Sequence, residues 1–159
     1  MDIDLSAVPR PFVLLDGVSA VWDAGLLAWR RLRRAPFWHV WEAAAQCAAL
    51  HQRYRSGFDR HAFLLGMART PAAAAWGLPE ACALDGRLEM RAELVQQGDG
   101  AALYTLEAGY TPTAPGEASR SARWEVRTGL CPYDGRFRAE RLRRRYEELF
   151  QCLYRGGAA

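Results

Sequence analysis

The spacing of hydrophobic and polar residues changes along the chain and divides it into strands and helices. Residues 11–21 form an apolar run behind two prolines, which is typical of a strand. Residues 22–25 carry a turn signal. The alternation over 26–33 is weak, so this segment fits either the return strand of a hairpin or a short helix.

A long apolar stretch begins after Pro36 and continues to about Tyr54 without an internal glycine or proline. A proline at the first helical position and a glycine just past the end, here Gly57, are typical boundaries of an α-helix. Apolar residues occupy nearly every face of this stretch, so the helix is expected to be buried. The sequence therefore predicts one central helix that starts near Pro36.

The period of the pattern returns to two after the central helix. Residues 63–67 form a short apolar run consistent with a buried strand, and residues 87–94 alternate between apolar and charged side chains. A glycine-containing turn follows, and the chain runs back over 102–110. After a loop rich in proline, glycine and serine, a last alternating segment covers 123–128. These segments predict an antiparallel sheet.

Residues 139–154 have helical periodicity with an apolar stripe along one side. The stripe consists of Leu142, Tyr146, Leu149, Phe150 and Leu153. The elements together predict an α+β fold in which an antiparallel sheet wraps around one apolar helix, because that arrangement buries the helix and the inner face of the sheet together. We expect a single domain over 1–138 and a C-terminal helical extension over 139–159.

Composition and charge narrow the possible functions. The 159 residues correspond to a single domain, and a net charge of +3, with all 21 basic residues being arginine, does not indicate a nucleic-acid-binding protein. No signal peptide opens the chain, and no apolar run approaches the roughly 20 residues of a membrane span. The four cysteines form no metal or redox motif. We therefore expect a reduced, cytoplasmic protein without a metal, a cofactor or a membrane partner.

Three polar residues stand out on the central helix. His39, Glu42 and Gln46 have the spacing i, i+3, i+7 and therefore share one face. Apolar neighbours such as Trp38 and Trp41 disfavour a charged carboxylate, which suits Glu42 to general acid–base catalysis near neutral pH. Free N–H groups at the start of the helix could also polarise a substrate carbonyl.

Purely structural explanations account for the same three residues. A buried Glu42 can pair with one of the many arginines, a core histidine such as His39 is usually held by hydrogen bonds, and Gln46 can bind backbone groups or anchor the helix. The sequence leaves both interpretations open. His51 and His61 lie beyond this stripe in the sequence and are weaker catalytic candidates.

Four segments, in the same order, resemble the 3-hydroxyacyl-ACP dehydratases of fatty-acid synthesis. Residues 11–18 (PFVLLDGV) are similar to the opening strand P-F-x-L-L-D-x-V of that family, and residues 42–46 (EAAAQ) to E-A-x-A-Q on its central helix. Residues 63–69 (FLLGMAR) are most similar to the F-L-L-G version in dehydratase-like proteins of aryl polyene and related pigment clusters. Residues 84–88 fall where the family has its P-G-D-x-L turn. The resemblance spans about residues 9–110.

This resemblance implies the hotdog fold, a dimer with active sites at the subunit interface, and acyl chains delivered on acyl carrier protein. By position, Glu42 takes the role of the family's catalytic carboxylate, with Gln46 and Gly66 as substrate-binding residues. The family's catalytic histidine lies on an H-F-P-G loop before the central helix, and residues 29–38 contain no histidine. His39, one turn before Glu42, is the candidate substitute.

An arginine cluster, formed by Arg30, Arg31, Arg33 and Arg34, occupies the place of the missing loop. It is either a solvated strand edge or a docking patch for an acidic carrier protein or the phosphate of its pantetheine arm, which a planar guanidinium binds well. The arginines within 141–145 are either a solvated helix face or a contact with a partner subunit.

The sequence thus favours a dehydratase-like protein acting on 3-hydroxyacyl thioesters, carried by acyl carrier protein or coenzyme A, in a fatty-acid- or polyketide-like pathway. One alternative is a non-catalytic hotdog subunit that pairs with an active dehydratase or binds an acyl carrier. A further alternative is an acyl thioesterase, in which Glu42 activates water. Whether the dimer is a homodimer or a heterodimer with another hotdog subunit is left open.

Overall fold

The strands and helices follow one another in the predicted order. A computed structural model describes residues 13–134 and 138–156. Its elements are β1 (Gly17–Trp22), β2 (Gly25–Pro36), α1 (Trp38–Arg55), β3 (Arg60–Ala68), β4 (Ala83–Gln97), β5 (Ala101–Pro112), β6 (Arg120–Pro132) and α2 (Ala139–Gly156). A single 3₁₀ turn, Ala73–Trp76, lies between β3 and β4.

The six strands form one antiparallel sheet in the order β1-β2-β4-β5-β6-β3. Helix α1 connects β2 near one edge to β3 at the opposite edge, so it has to cross the face of the sheet. It contacts all five strands from β2 to β6. The sheet therefore surrounds a single central helix, and the predicted α+β architecture is confirmed.

Alternation along the strands separates a buried inner face from a solvated outer face. On β4, Leu88, Met90 and Ala92 are fully buried, whereas Arg87 and Glu89 are exposed. Helix α1 meets the inner face with Ala43, Ala44, Cys47 and Ala48, all fully buried. Because these side chains are small, the helix packs close to the strands, which is why the sequence of α1 is rich in alanine.

Strand β2 resolves the ambiguity over 26–33 in favour of the hairpin, and the short-helix alternative is wrong. It pairs with β1 on one side and with β4 on the other, in a ladder that runs from Gly25 opposite Glu93 to Pro36 opposite Ala83. Pro36 therefore ends a strand, where its missing N–H costs no interior hydrogen bond, and it does not open α1 as predicted. The helix begins at Trp38 instead, directly after Phe37 in the sequence.

The first strand is shorter than predicted. It begins at Gly17, not Pro11, and residues 11 and 12 lie outside the described residues. Val13 to Leu15 have no regular structure, although Leu14 and Leu15 are buried. This apolar run thus anchors the chain to the core without joining the sheet.

Residues 84–88 do not form a turn, as the family resemblance implied, but belong to β4. Gly86 pairs with Leu32 on one side and with Pro112 on the other. A Cβ atom at Gly86 would lie 2.2 Å from the carbonyl oxygen of Thr111, so the glycine permits close approach of β5. Strand packing therefore requires a glycine at position 86.

Helix α1 is buried in its middle turns but not at its ends, which corrects the expectation of burial on nearly every face. Trp38 is 52% exposed at the first turn and Tyr54 is 38% exposed at the last. An exposed tryptophan beside His39 leaves an apolar surface at the start of the helix.

Helix α2 packs against β1 and α1 through the predicted stripe. Leu142, Phe150 and Leu153 are buried, and the Phe150 ring stacks on Tyr54 with centroids 5.0 Å apart. Neither described α-helix is long and apolar enough to cross a membrane. All four cysteines are free thiols. The domain boundary at 138 stays a prediction.

Candidate functional site

Glu42 and Gln46 lie one turn apart on α1, beside the chain that leads into β1. Glu42 is half-buried, and the Gln46 amide donates an N–H to its Oε1 at 3.0 Å. The amide oxygen of Gln46 accepts the backbone N–H of Leu14 at 2.7 Å. Both ends of the Gln46 amide are thus engaged, which fixes the position of the Glu42 carboxylate.

The chain before β1 is itself held in place, so the Gln46 contact is well supported. Leu14 and Leu15 are each only 5% exposed, and the Asp16 carboxylate accepts the backbone N–H of Arg31 at 2.6 Å. The structural role expected for Gln46 is therefore present. The ion pair with an arginine that was considered for Glu42 is absent, because within residues 13–134 and 138–156 no arginine forms an ion pair with it.

His39 is not a satisfied core histidine. Its ring is half-buried and packs edge-on against Trp38, with ring centroids 4.2 Å apart. Its Nδ1 is buried and has no hydrogen-bond partner among the described residues. Burial lowers the pKa of His39, the positive charge of Arg30 lowers it further, and Glu42 opposes both effects. The imidazole is therefore neutral at pH 7 and able to accept a proton.

Three of the four clustered arginines share a pocket with His39. The arginines lie on β2, not on a loop. Arg30, Arg31 and Arg33 line a shallow pocket of about 450 Å³ with His39, and Asp16, Trp29 and Ala35 complete its wall. Arg30 is half-buried and also donates to the Val13 carbonyl at 3.4 Å, and burial lowers its pKa. A cationic pocket thus adjoins the start of α1.

Arg34 stands apart from this arginine pocket. It lies, with Arg33, in a β-bulge between Leu32 and Ala35 and adopts a φ of 47°, in the left-handed region. Its backbone N–H donates to the Asp85 carboxylate at 2.8 Å. Arg34 therefore does not line the pocket, although it belongs to the same arginine cluster in the sequence.

Gly66 lies on β3, at the edge of the sheet, next to a bulge between Leu64 and Gly66. A Cβ atom there would meet no other atom within 4 Å, so packing inside this chain does not require a glycine. The same strand exposes three consecutive large apolar residues, Phe63, Leu64 and Leu65, by 44%, 41% and 56%. The open space at Gly66 adjoins this apolar edge.

A buried polar network that sequence reasoning missed joins the C-terminal half of α1 to the sheet. His51 is fully buried, with Nε2 2.9 Å from the Trp22 carbonyl oxygen and Nδ1 2.9 Å from the Tyr104 hydroxyl. That hydroxyl also lies 2.7 Å from Gln52 Oε1. Burial lowers the pKa of His51 and raises the pKa of Tyr104, so both are uncharged at neutral pH. In the sequence, this network is indicated by two adjacent polar residues, His51 and Gln52, within an apolar stretch.

Comparison with known proteins identifies the fold of the chain. No family model and no curated protein matches the sequence. A mutant thioesterase from Staphylococcus aureus is 13% identical, with a TM-score of 0.55, over 73% of this chain and 93% of that chain. The dehydratase heterocomplex ApeI:P from Xenorhabdus doucetiae is 17% identical, with a TM-score of 0.54, over 80% of this chain and 87% of that chain.

AziG from S. sahachiroi is similar as well, at 13% identity and a TM-score of 0.52, over 73% of this chain and 90% of that chain. At these identities the similarities establish the fold and not the activity. The protein has the hotdog fold, as the resemblance in its sequence predicted.

Proposed function

We propose that this hotdog protein is a dehydratase-like enzyme that removes water from 3-hydroxyacyl thioesters, with His39 and Glu42 as its acid–base pair. The observation that carries the proposal is the state of His39. Its Nδ1 is buried without a hydrogen-bond partner among the described residues, and burial, followed by Arg30, lowers its pKa. A neutral imidazole with an unused nitrogen, one turn from a half-buried carboxyl group, is suited to proton transfer at pH 7.

The elimination requires one group to take a proton and another to give one. His39 accepts the proton from C2 of the acyl chain, and the C2–H electron pair forms the C2=C3 double bond. The C3–O bond breaks as the carboxyl group of Glu42 delivers a proton, so the hydroxyl leaves as water. His39 then loses its proton to water and Glu42 takes one from water, which restores the pair. Gln46 orients Glu42 throughout, because it is bonded at both ends of its amide.

The arginine pocket supplies a docking site for the carrier of the thioester. Arg30, Arg31 and Arg33 surround a pocket that also contains His39, so a bound phosphate would lie beside the catalytic pair. The pantetheine arm of acyl carrier protein bears a phosphodiester, and guanidinium groups bind such an anion with several directed N–H bonds. Coenzyme A carries the same arm and is the alternative carrier.

A second subunit is expected to pair along β3. Among the strands that the structure describes, this edge strand pairs with β6 alone, and it exposes Phe63, Leu64 and Leu65. An apolar edge of this kind is normally covered, because its free backbone groups and side chains otherwise promote aggregation. A partner strand there, in a homodimer or a heterodimer, would leave Gly66 at the interface, where its open space could admit the substrate arm.

Two alternative functions of this fold are each favoured by one observation. Hydrolysis of the thioester needs only one base and a polarising group, and Glu42 is bonded to Gln46 and not to His39. A non-catalytic subunit is favoured because the family's histidine loop has no counterpart before α1, where β2 leads directly through Phe37.

The residues 63–69 support placing the protein with the dehydratase-like proteins of aryl polyene and related pigment clusters. Their F-L-L-G motif forms the apolar edge strand β3 described above. We therefore expect a role in a fatty-acid- or polyketide-like pathway in the cytoplasm.

The deciding experiment supplies 3-hydroxyoctanoyl-acyl carrier protein to the purified chain and follows two products, the 2-enoyl thioester and the free thiol. We expect the enoyl product, with rates that fall by about 100-fold or more in both Glu42→Gln and His39→Gln. Glu147→Gln, an exposed carboxylate on α2, is the matched control and should retain the wild-type rate.

Other outcomes of this assay identify the alternative functions. Release of thiol that depends on Glu42 but survives His39→Gln identifies a thioesterase. Activity that appears only after a catalytic hotdog partner is added, and that survives Glu42→Gln, identifies a non-catalytic subunit. Either result rules out the dehydratase proposal.

A further inference from the structure

A second pocket lies beneath α2. It shares no lining residue with the arginine pocket, and Gln46, which is bonded to Glu42, lies on its wall. It has a volume of about 260 Å³ and is enclosed by α2, by the chain before β1 and by the C-terminal half of α1. Its lining residues are Val13, Leu15, Gln46, Leu50, Arg53, Leu142, Arg145, Tyr146, Leu149 and Leu153. The C-terminal helix therefore creates this pocket, and the central sheet and helix alone would leave it open.

The walls of this pocket are mainly aliphatic, with six leucine or valine side chains among its ten lining residues. Leu50 of α1 faces Leu149 and Leu153 of α2 across the space. On α1, Gln46, Leu50 and Arg53 follow one another at i, i+4, i+7 and therefore form one line along the helix. A ligand that fills the pocket would have an apolar body and a polar end near Arg53.

Arg53 is a positive charge that lacks an anion. One of its Nη atoms donates to the Ala62 carbonyl at 2.7 Å, and its guanidinium lies 4.1 Å from the ring centre of Tyr146. Its Nε is buried and has no hydrogen-bond partner within residues 13–134 and 138–156. Burial lowers the pKa of Arg53, and the nearby tyrosines Tyr146 and Tyr133 oppose this effect.

Arg145 of α2 lines the same pocket. In the described part of the chain, neither Arg53 nor Arg145 forms an ion pair with a carboxylate. By contrast, the neighbouring residue Arg144 pairs with Glu148 at 3.4 Å, and Arg143 pairs with Asp59 at 3.3 Å. Of these four arginines, the two without a carboxylate partner are therefore the two that line the pocket.

We propose that this pocket binds a medium-chain carboxylate, with its alkyl chain between α1 and α2 and its carboxylate at Arg53 and Arg145. A planar guanidinium with unused N–H groups is a strong partner for a carboxylate, and leucine walls suit the chain. A methylene group is similar in size to a water molecule, which occupies about 30 Å³, so the pocket suits a chain of roughly eight atoms. The proposal does not depend on catalysis by Glu42.

Isothermal titration calorimetry with octanoate tests this site on the full-length protein. We expect saturable 1:1 binding of octanoate, and binding at least tenfold weaker for octylamine, which has the same chain and the opposite charge. Acetate, which has the charge without the chain, should also bind at least tenfold more weakly. Equal binding of octanoate and octylamine, or no binding of octanoate, would overturn the proposal.

Substitutions locate the binding site. Arg53→Gln and Arg145→Gln should each weaken octanoate binding at least tenfold, whereas their neighbours Arg55→Gln and Arg144→Gln, both exposed, should leave it within twofold. Leu149→Trp fills the pocket from α2 and should abolish binding without lowering the melting temperature. Octanoate binding that is unchanged in Arg53→Gln, Arg145→Gln and Leu149→Trp would place the ligand elsewhere and reject the site.

Discussion

Gln46 connects Glu42 to the beginning of the fold: its amide nitrogen donates to Glu42 Oε1 at 3.0 Å, and its amide oxygen accepts the Leu14 N–H at 2.7 Å. The carboxylate proposed for catalysis is therefore oriented by a residue that also anchors the chain before β1. The orientation of Glu42 and the stability of the fold both depend on the Gln46 side chain. A substitution of Gln46 is therefore expected to change both.

Replacement of Gln46 by leucine should lower both stability and activity. Gln46→Leu keeps the apolar volume but leaves the Leu14 N–H without its acceptor, which costs about 1–3 kcal/mol for a buried donor. Urea unfolding measures this loss, and the dehydratase assay should show a lower turnover number because Glu42 is no longer oriented. Gln151→Leu, at an exposed position of α2, is the control and should change neither quantity. A Gln46→Leu protein of wild-type stability would contradict this role.

The pH dependence of turnover should depend on Arg30. Because Arg30 lowers the pKa of His39, its removal in Arg30→Gln raises that pKa, and His39 becomes protonated at a higher pH. A base is inactive when protonated, so the acidic limb of the profile should move to higher pH. Arg31→Gln, an exposed neighbour on β2, should leave the limb in place. An unshifted limb in Arg30→Gln would exclude His39 as the base.

Acid should destabilise the fold through His51. Its folded-state pKa lies below the ordinary value of 6.5, chiefly because of burial; Arg55 lowers it further, and the Trp22 carbonyl and Asp23 raise it. As the pH falls, His51 is therefore protonated in the unfolded chain before it is protonated in the folded one. The free energy of unfolding has its full value above pH 6.5 and decreases as the pH drops below 6.5.

Urea titrations between pH 7.5 and 5.5 measure this effect. One histidine that is protonated only in the unfolded state contributes a slope on the order of 1.4 kcal/mol per pH unit. His51→Gln cannot titrate, and its unfolding free energy should depend less on pH even if it is lower throughout. Parallel pH curves for the wild type and His51→Gln would show that His51 contributes nothing.

Self-association should depend on the apolar edge of β3. Leu65→Lys places a charge on this edge, and sedimentation velocity should show the wild type as a dimer and the variant as a monomer at micromolar concentration. Val95→Lys changes a residue that is 59% exposed on β4, compared with 56% for Leu65, and should remain dimeric. A dimeric Leu65→Lys protein would place the interface elsewhere.

Much of the fold followed from local patterns. The period-2 alternation of β4, with Leu88 and Met90 inward and Arg87 and Glu89 outward, predicted its two faces because the side chains of a strand alternate by geometry. The spacing of Leu142, Phe150 and Leu153 predicted the buried stripe of α2 in the same way. Both predictions concern neighbours along one element, for which the sequence spacing determines the direction of each side chain.

The tertiary structure decided what no local pattern contains. The pairing of β2 with both β1 and β4 drew Pro36 into a strand, and Arg34 does not line the pocket that Arg30 lines, although the two are four residues apart. The sequence alone placed His39, Glu42 and Gln46 on one helix face. That Gln46 bonds Leu14, that Arg30 lies near enough to lower the pKa of His39, and that Arg53 meets α2 are contacts between distant segments. Such contacts exist only after the chain has folded, because burial and electrostatic effects depend on distance in space and not along the sequence.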